Sequence, residues 1–177
     1  LDSGAYSVEL DEAPDPPERS ETERLKAIEI IQTFWGASHL SLNYEGLQRH
    51  PENTGLVVET YTSATAQFLV DIQNNMVVFM QTNTVSEGIS TTSTEPESLK
   101  EIVREFILAR NPCFERSEAQ LELEEGNKGS NYFFRWRSPQ PNVDRPWNQP
   151  TFIQVGIHEE GTVFSYIDSG ICYLESQ

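Results

Sequence analysis

One order of elements recurs along this chain and limits what it can fold into. An amphipathic helix is followed by a series of short β-rich runs, once before residue 82 and again after residue 96. The first helix runs from Glu23 to Trp35, with Leu25, Ile28, Ile31 and Trp35 recurring at three- and four-residue steps and Phe34 beside them. Ser20 and Glu23 make a capping-box pattern at its start, and Gly36 is a reasonable stop. Strand-like runs follow at 40–44, 56–62, 67–73 and 76–81, with a loop holding His50, Pro51 and Asn53 after the first. Asn74-Asn75 joins the last two as a tight hairpin, because asparagine tolerates positive φ.

The second series repeats this order. Thr94 as N-cap, Pro96 in the first turn and Glu97 as box partner open a helix whose stripe is Leu99, Ile102, Val103, Phe106 and Ile107. Asn111-Pro112 ends it. Strands are expected at 120–124 and 132–137, with a turn at 126–129 between them. They are expected again at 151–158 and 162–167, joined through Glu159-Glu160-Gly161, and in a short last run at 171–174. The final hairpins align without a gap: Val70-Asp71-Ile72 falls on Val155-Gly156-Ile157, and Val78-Phe79 on Val163-Phe164. Leu-Lys recurs at 25–26 and 99–100, with isoleucine three residues after each leucine. The expectation is an α+β protein of two tandem units, each a helix packed on an antiparallel sheet of about four strands. Residues 23–82 form the first unit, 83–95 a polar linker and 96–177 the second unit.

This arrangement resembles the PepSY-like domains of bacterial envelope proteins, small helix-on-sheet units that often occur in tandem. The residues that carry the resemblance are the helix onset Pro96-Glu97-Ser98-Leu99-Lys100-Glu101-Ile102, the strand Tyr132-Phe133-Phe134-Arg135-Trp136 and the hairpin from Val155 to Val163. It covers most of 97–168 and, more weakly, 24–81, where Asn74-Asn75 stands in place of the usual turn glycine. The resemblance implies an extracytoplasmic regulatory or inhibitory module, as in propeptides of secreted peptidases, and it implies no catalytic residues.

Charge narrows the partners. Lys and Arg number 12 against 28 Asp and Glu, for a net charge of −16, so the clustered positive charge that nucleic acid or anionic lipid requires is missing. Solubility accounts for most of this acidity, and a basic partner is its functional reading. Residues 1–22 read as an acidic flexible arm: Asp2, Glu9, Asp11, Glu12, Asp15, Glu18 and Glu21 stand against the single base Arg19, among Pro14, Pro16 and Pro17. The chain has no apolar run long enough to insert into a membrane, and a stalk-like arm fits a mature form displayed outside the cytoplasm. Cys113 and Cys172 are spaced neither as a zinc knuckle nor as a redox pair, which leaves two buried thiols or one disulfide.

The search for chemistry returns little. His39, His50 and His158 share no metal-ligand spacing, Glu122, Glu124 and Glu125 read as a solvated strand face, and Cys113 shows no partner base. Nucleotide-loop and nucleophile-elbow motifs are absent, and nothing points to a cofactor, a metal or a catalytic residue. The distinctive feature is the Pro-rich insertion 138–150, which has no counterpart in the first half. It carries Arg145 and Trp147, residue types enriched at binding hot spots, and Trp136 and Tyr166 lie on the strands beside it. These four are the candidate partner-binding residues, with Trp147 folding back as a lid on its own sheet as the competing reading. The reading is a non-enzymatic module that binds protein or peptide through this loop and an exposed sheet edge. The rivals are a small-ligand binder or enzyme with a pocket between helix and sheet, and a purely structural stalk domain.

Overall fold

A computed structural model of the chain describes residues 16–91, 98–139 and 150–174. Helix α1 spans Glu21–Trp35. The Ser20 hydroxyl accepts the Glu23 backbone N–H at 3.3 Å, and the Glu23 carboxylate accepts the Ser20 N–H at 2.9 Å. Gly36, at φ 90°, closes the helix in the left-handed region that a Cβ disfavours. The buried stripe is Ala27, Ile31 and Phe34, whereas Leu25, expected in it, is 55% exposed. The small Ala27 lets the helix axis approach the sheet there.

Four antiparallel strands follow: β1 (Asn43–His50), β2 (Asn53–Thr62), β3 (Ala66–Asp71) and β4 (Met76–Thr82). Asn75 takes φ 52° in the β3–β4 turn. A 3-10 turn at Val85–Glu87 and a two-residue strand β5 (Ile89–Ser90) come next. Helix α2 (Leu99–Arg110) and the short α3 (Phe114–Ser117) precede β6 (Glu122–Lys128), β7 (Asn131–Arg137), β8 (Phe152–His158) and β9 (Thr162–Asp168).

The protein is thus α+β, but the strands do not form two separate sheets. Among the described residues there is one sheet in the order β1-β2-β3-β4-β9-β8-β7-β6, with β5 also paired to β9. The halves meet where Phe79, Met80 and Gln81 of β4 face Ile167, Tyr166 and Ser165 of β9. Two separate sheets would each leave an edge strand with unpaired backbone groups beside fully buried side chains, Met80 and Tyr166. Pairing β4 with β9 satisfies both edges at once. Part of the expected linker also joins the sheet, since β5 pairs with Thr162 and Val163. A Cβ on Gly88 would collide there with the Val163 carbonyl, which is why the approach needs glycine.

Several boundaries differ from expectation for local reasons. The first strand is 43–50 rather than 40–44. As an edge strand with a single buried residue, it carries little apolar alternation to read. Helix α2 begins at Leu99 with Ser98 as N-cap, its hydroxyl accepting the Glu101 N–H at 2.9 Å, while Thr94, Pro96 and Glu97 lie outside the described residues. Strand β6 runs through Gly126 to Lys128, and the chain reverses at Gly129, φ 62°. The expected last strand is instead a 3-10 turn, Ile171–Tyr173. The Asp168 carboxylate captures the N–H groups of Gly170 and Ile171 at 2.8 and 2.9 Å, which turns the chain off the sheet.

The three helices cover one face of the sheet. Ile31 and Phe34 of α1, Val103, Phe106 and Ile107 of α2, and Phe114 of α3 join Tyr61, Phe68, Met80, Ile153, Val155 and Tyr166 in a single core. A smaller cluster of Val58, Leu69 and Val78 lies apart from it. The β1–β2 hairpin reaches the far half, where Asn53 Nδ2 donates to the Ser169 carbonyl at 2.9 Å. Cys113, at the start of α3, is joined to Cys172 in the C-terminal turn by a disulfide with Cα atoms 5.2 Å apart.

Candidate functional site

Pairing β4 with β9 leaves two outer edges among the described strands, β1 and β6. They differ in regularity. The β1–β2 ladder slips between Tyr44 and Gly46 and again between Arg49 and His50. Such bulges twist an edge away from an incoming strand. The β6–β7 ladder runs without a shift from Glu122↔Arg137 to Lys128↔Asn131. Strand β6 therefore presents a straight, seven-residue edge, and all its residues except Leu123 are exposed.

The side chains give this edge its character. Leu123 packs against the core, and its cross-strand partner is Trp136. Glu122 and Glu124 consequently share the opposite face with Arg137, whose guanidinium pairs with Glu124 and lies 4.0 Å from Glu122. Glu125 is exposed and has no ion pair among the described residues. The edge is thus a backbone ladder with surplus negative charge. The Pro-rich insertion leaves the sheet after Arg137, directly beside Glu122.

Of the four expected partner-binding residues, the two described ones are turned into the core. Trp136 and Tyr166 are 4% and 0% exposed, so neither can meet a partner. Trp136 stands edge-on to Phe114 at 5.4 Å. Tyr166 meets Phe34 at 5.0 Å and Phe106 at 6.3 Å, and its hydroxyl accepts from Asn111 Nδ2 at 3.2 Å. Both strands direct these residues to the helix-covered face, where large rings bury the most area. Arg145 and Trp147 lie outside the described residues. Of the histidines, His39 is exposed and His158 half-exposed, whereas His50 is buried. The Glu52 N–H donates to His50 Nδ1 at 3.0 Å, so the ring's Nε2–H faces the Val78 carbonyl at 3.3 Å. Among the described residues no group of His, Cys, Asp and Glu is placed to hold a metal ion.

Three polar arrangements carry no local sequence signal. At the junction of the halves, Asp168 and Asp71 are each 1% exposed. Asp168 accepts from Asn111 Nδ2 at 3.0 Å in addition to its two backbone donors, and Asp71 accepts from the Tyr173 hydroxyl at 2.6 Å. Burial pushes the Asp168 carboxyl up to about 6 and the neighbouring Asp71 adds to the rise, against the pull of its hydrogen bonds. This cluster pins the C-terminal turn and is closed to solvent. Second, a groove of about 320 Å³ between α1 and α2 is lined by Ile30, Phe34, Met76 and Ala109, with Glu29 and Arg110 among its polar groups. The Arg110 guanidinium lies 3.8 Å from the Phe106 ring centroid, donates Nε to the Phe34 carbonyl at 2.8 Å and has no carboxylate partner among the described residues. Third, Arg19 enters the sheet beside Glu59, 40 residues away in sequence. Asp168 with Asn111, Arg110 with Phe34 and Arg19 with Glu59 are each distant in sequence, so only the folded chain reveals them.

No family model matches the chain, and no curated protein matches it. Among solved structures, the C-terminal domain of Bacillus megaterium YpeB is similar, with a TM-score of 0.56 over 92% of this chain and 68% of that one. The two are 10% identical, so the likeness concerns the fold alone. As a likeness of fold, the match loosely supports the expected PepSY-like arrangement of helix and sheet.

Proposed function

We propose that this protein is a non-enzymatic binding module that works outside the cytoplasm and takes up an extended, basic segment of a protein partner along β6. The observation that carries this reading is the unshifted, exposed β6 edge with its acidic side chains. An incoming strand would gain main-chain hydrogen bonds from the ladder, and Glu122, Glu124 and Glu125 would favour lysine and arginine on either face of it. Arg145 and Trp147, residue types enriched at binding hot spots, are proposed as contacts to the same partner. The disulfide supports an oxidising compartment. We also read the chain as two copies of one unit, 23–82 and 96–177, because strands β1–β4 and β6–β9 occupy mirrored places in the sheet order. No helix of the described residues is long and apolar enough to cross a membrane.

The test is calorimetric titration with an extended peptide alternating arginine and valine, in low and high salt. Binding that weakens with salt, weakens in Glu125→Lys, and weakens in Trp147→Ala at unchanged Tm supports the edge and its loop. Equal affinity in Glu125→Lys would reject the edge. A large loss of Tm in Trp147→Ala would make Trp147 a core lid. A second reading, a small-ligand binder, is favoured by Arg110 in the α1–α2 groove, which has no carboxylate partner among the described residues. Saturable binding of octanoate that disappears in Arg110→Gln would select it.

A further inference from the structure

Glu59 of β2 has no exposed surface, and its charge is met by a residue from outside the sheet. That residue is Arg19, the sole base of the acidic arm, whose side chain is 13% exposed. Its Nη2 donates to Glu59 Oε1, and its Nη1 donates to Asn75 Oδ1 at 3.1 Å. The Tyr61 hydroxyl donates to the same Glu59 oxygen at 3.1 Å. Three elements thus converge on one guanidinium: β2 through Glu59 and Tyr61, the β3–β4 turn through Asn75, and the start of α1, where Ser20 is the N-cap.

The fit is incomplete in an informative way. Glu59 Oε2 and Arg19 Nε are both buried, and neither has a hydrogen-bond partner among the described residues. A guanidinium facing a carboxylate can engage both oxygens through two parallel N–H groups, and here only one is used. Arg19 adjoins the helix cap Ser20, which ties its backbone to the start of α1; an arginine on a separate chain approaches free of that tie.

We propose that Glu59, Tyr61 and Asn75 form a guanidinium-binding site, filled in cis by Arg19 and able to take an arginine side chain of a basic polypeptide in its place. The site lies in the half of the sheet opposite β6, so it stands independently of the edge reading. The cis residue holds the site through a high effective concentration, and a second arginine competes by offering the two-point contact. Lysine carries its donors on a single nitrogen and lacks the planar fork that meets two carboxylate oxygens in parallel.

The test removes the cis occupant and supplies a small one. In Arg19→Ala, agmatine raises Tm saturably by about 3 °C or more, while n-butylamine at equal concentration has a smaller effect. In wild-type protein, where Arg19 competes, the rise needs a much higher agmatine concentration, and the double variant Arg19→Ala/Glu59→Gln shows none. If Arg19→Ala does not fold alone, the readout is recovery of far-UV dichroism on adding agmatine, with Arg19→Lys as a folded variant for the same titration. An equal response to the two amines, an equal response in the double variant, or no response in both single variants overturns the proposal.

Discussion

The buried carboxyl of Asp168 yields the sharpest test of the junction between the halves. Its pKa stands at about 6, against 3.8 for an ordinary aspartate, mainly because burial penalises the charge and secondarily because Asp71 lies near. A group whose pKa is raised on folding stabilises the native state fully below its unfolded pKa, and that contribution is lost as pH rises through its folded value. Between about pH 4 and 6 folding takes up most of one proton here, so this contribution falls by about 2 kcal/mol across the window. The residue is 1% exposed, so solvent screening discounts little of it. Asp168→Asn removes the titration while keeping an oxygen for the N–H groups of Gly170 and Ile171. Urea unfolding of both proteins from pH 4 to 7.5 gives the comparison, with other carboxylates cancelling in the difference. The stability advantage of wild type over the variant should shrink by about 2 kcal/mol across the window. A pH-independent difference would refute the assignment, and one growing with pH would show that the carboxylate is preferred in the fold.

Two further outcomes follow from packing. The disulfide closes a loop of 59 residues, so Cys113→Ser/Cys172→Ser should lose about 4 kcal/mol in urea unfolding, and a loss below about 1 kcal/mol would mean that other contacts hold the turn. Trp136→Ala should cost about 3–5 kcal/mol by opening a cavity against Phe114, while binding of the basic peptide by the fraction that remains folded is unchanged.

Local chemistry was legible and long-range geometry was not. Ser20, Glu23 and Gly36 announce α1 because capping is decided within a few residues. The β8–β9 hairpin is likewise readable from its alternation and the turn ending in Gly161. The pairing of β4 with β9 is invisible in the sequence, because Met80 and Tyr166 meet across 86 positions without a local signature. The orientation of Trp136 and Tyr166 was missed because alternation shows that a strand has two faces without showing which one the helices cover. Asp168 reads as an ordinary strand-end turn residue, and only its burial makes it unusual. The acidic β6 edge was half legible: its glutamates were visible as a solvated face, but its place at the rim depends on the order of the whole sheet.

The central claim is that β6 accepts a strand, and amide hydrogen exchange across residues 122–128 tests it most directly. An edge strand exposes the backbone N–H of every second residue, so an added strand protects β6 with a period of two. With the basic peptide at ten times its Kd, alternate β6 amides should slow by about tenfold, and a peptide N-methylated on its pairing edge should leave them unchanged. Uniform or absent protection of β6, or protection of β1 in its place, would contradict the account.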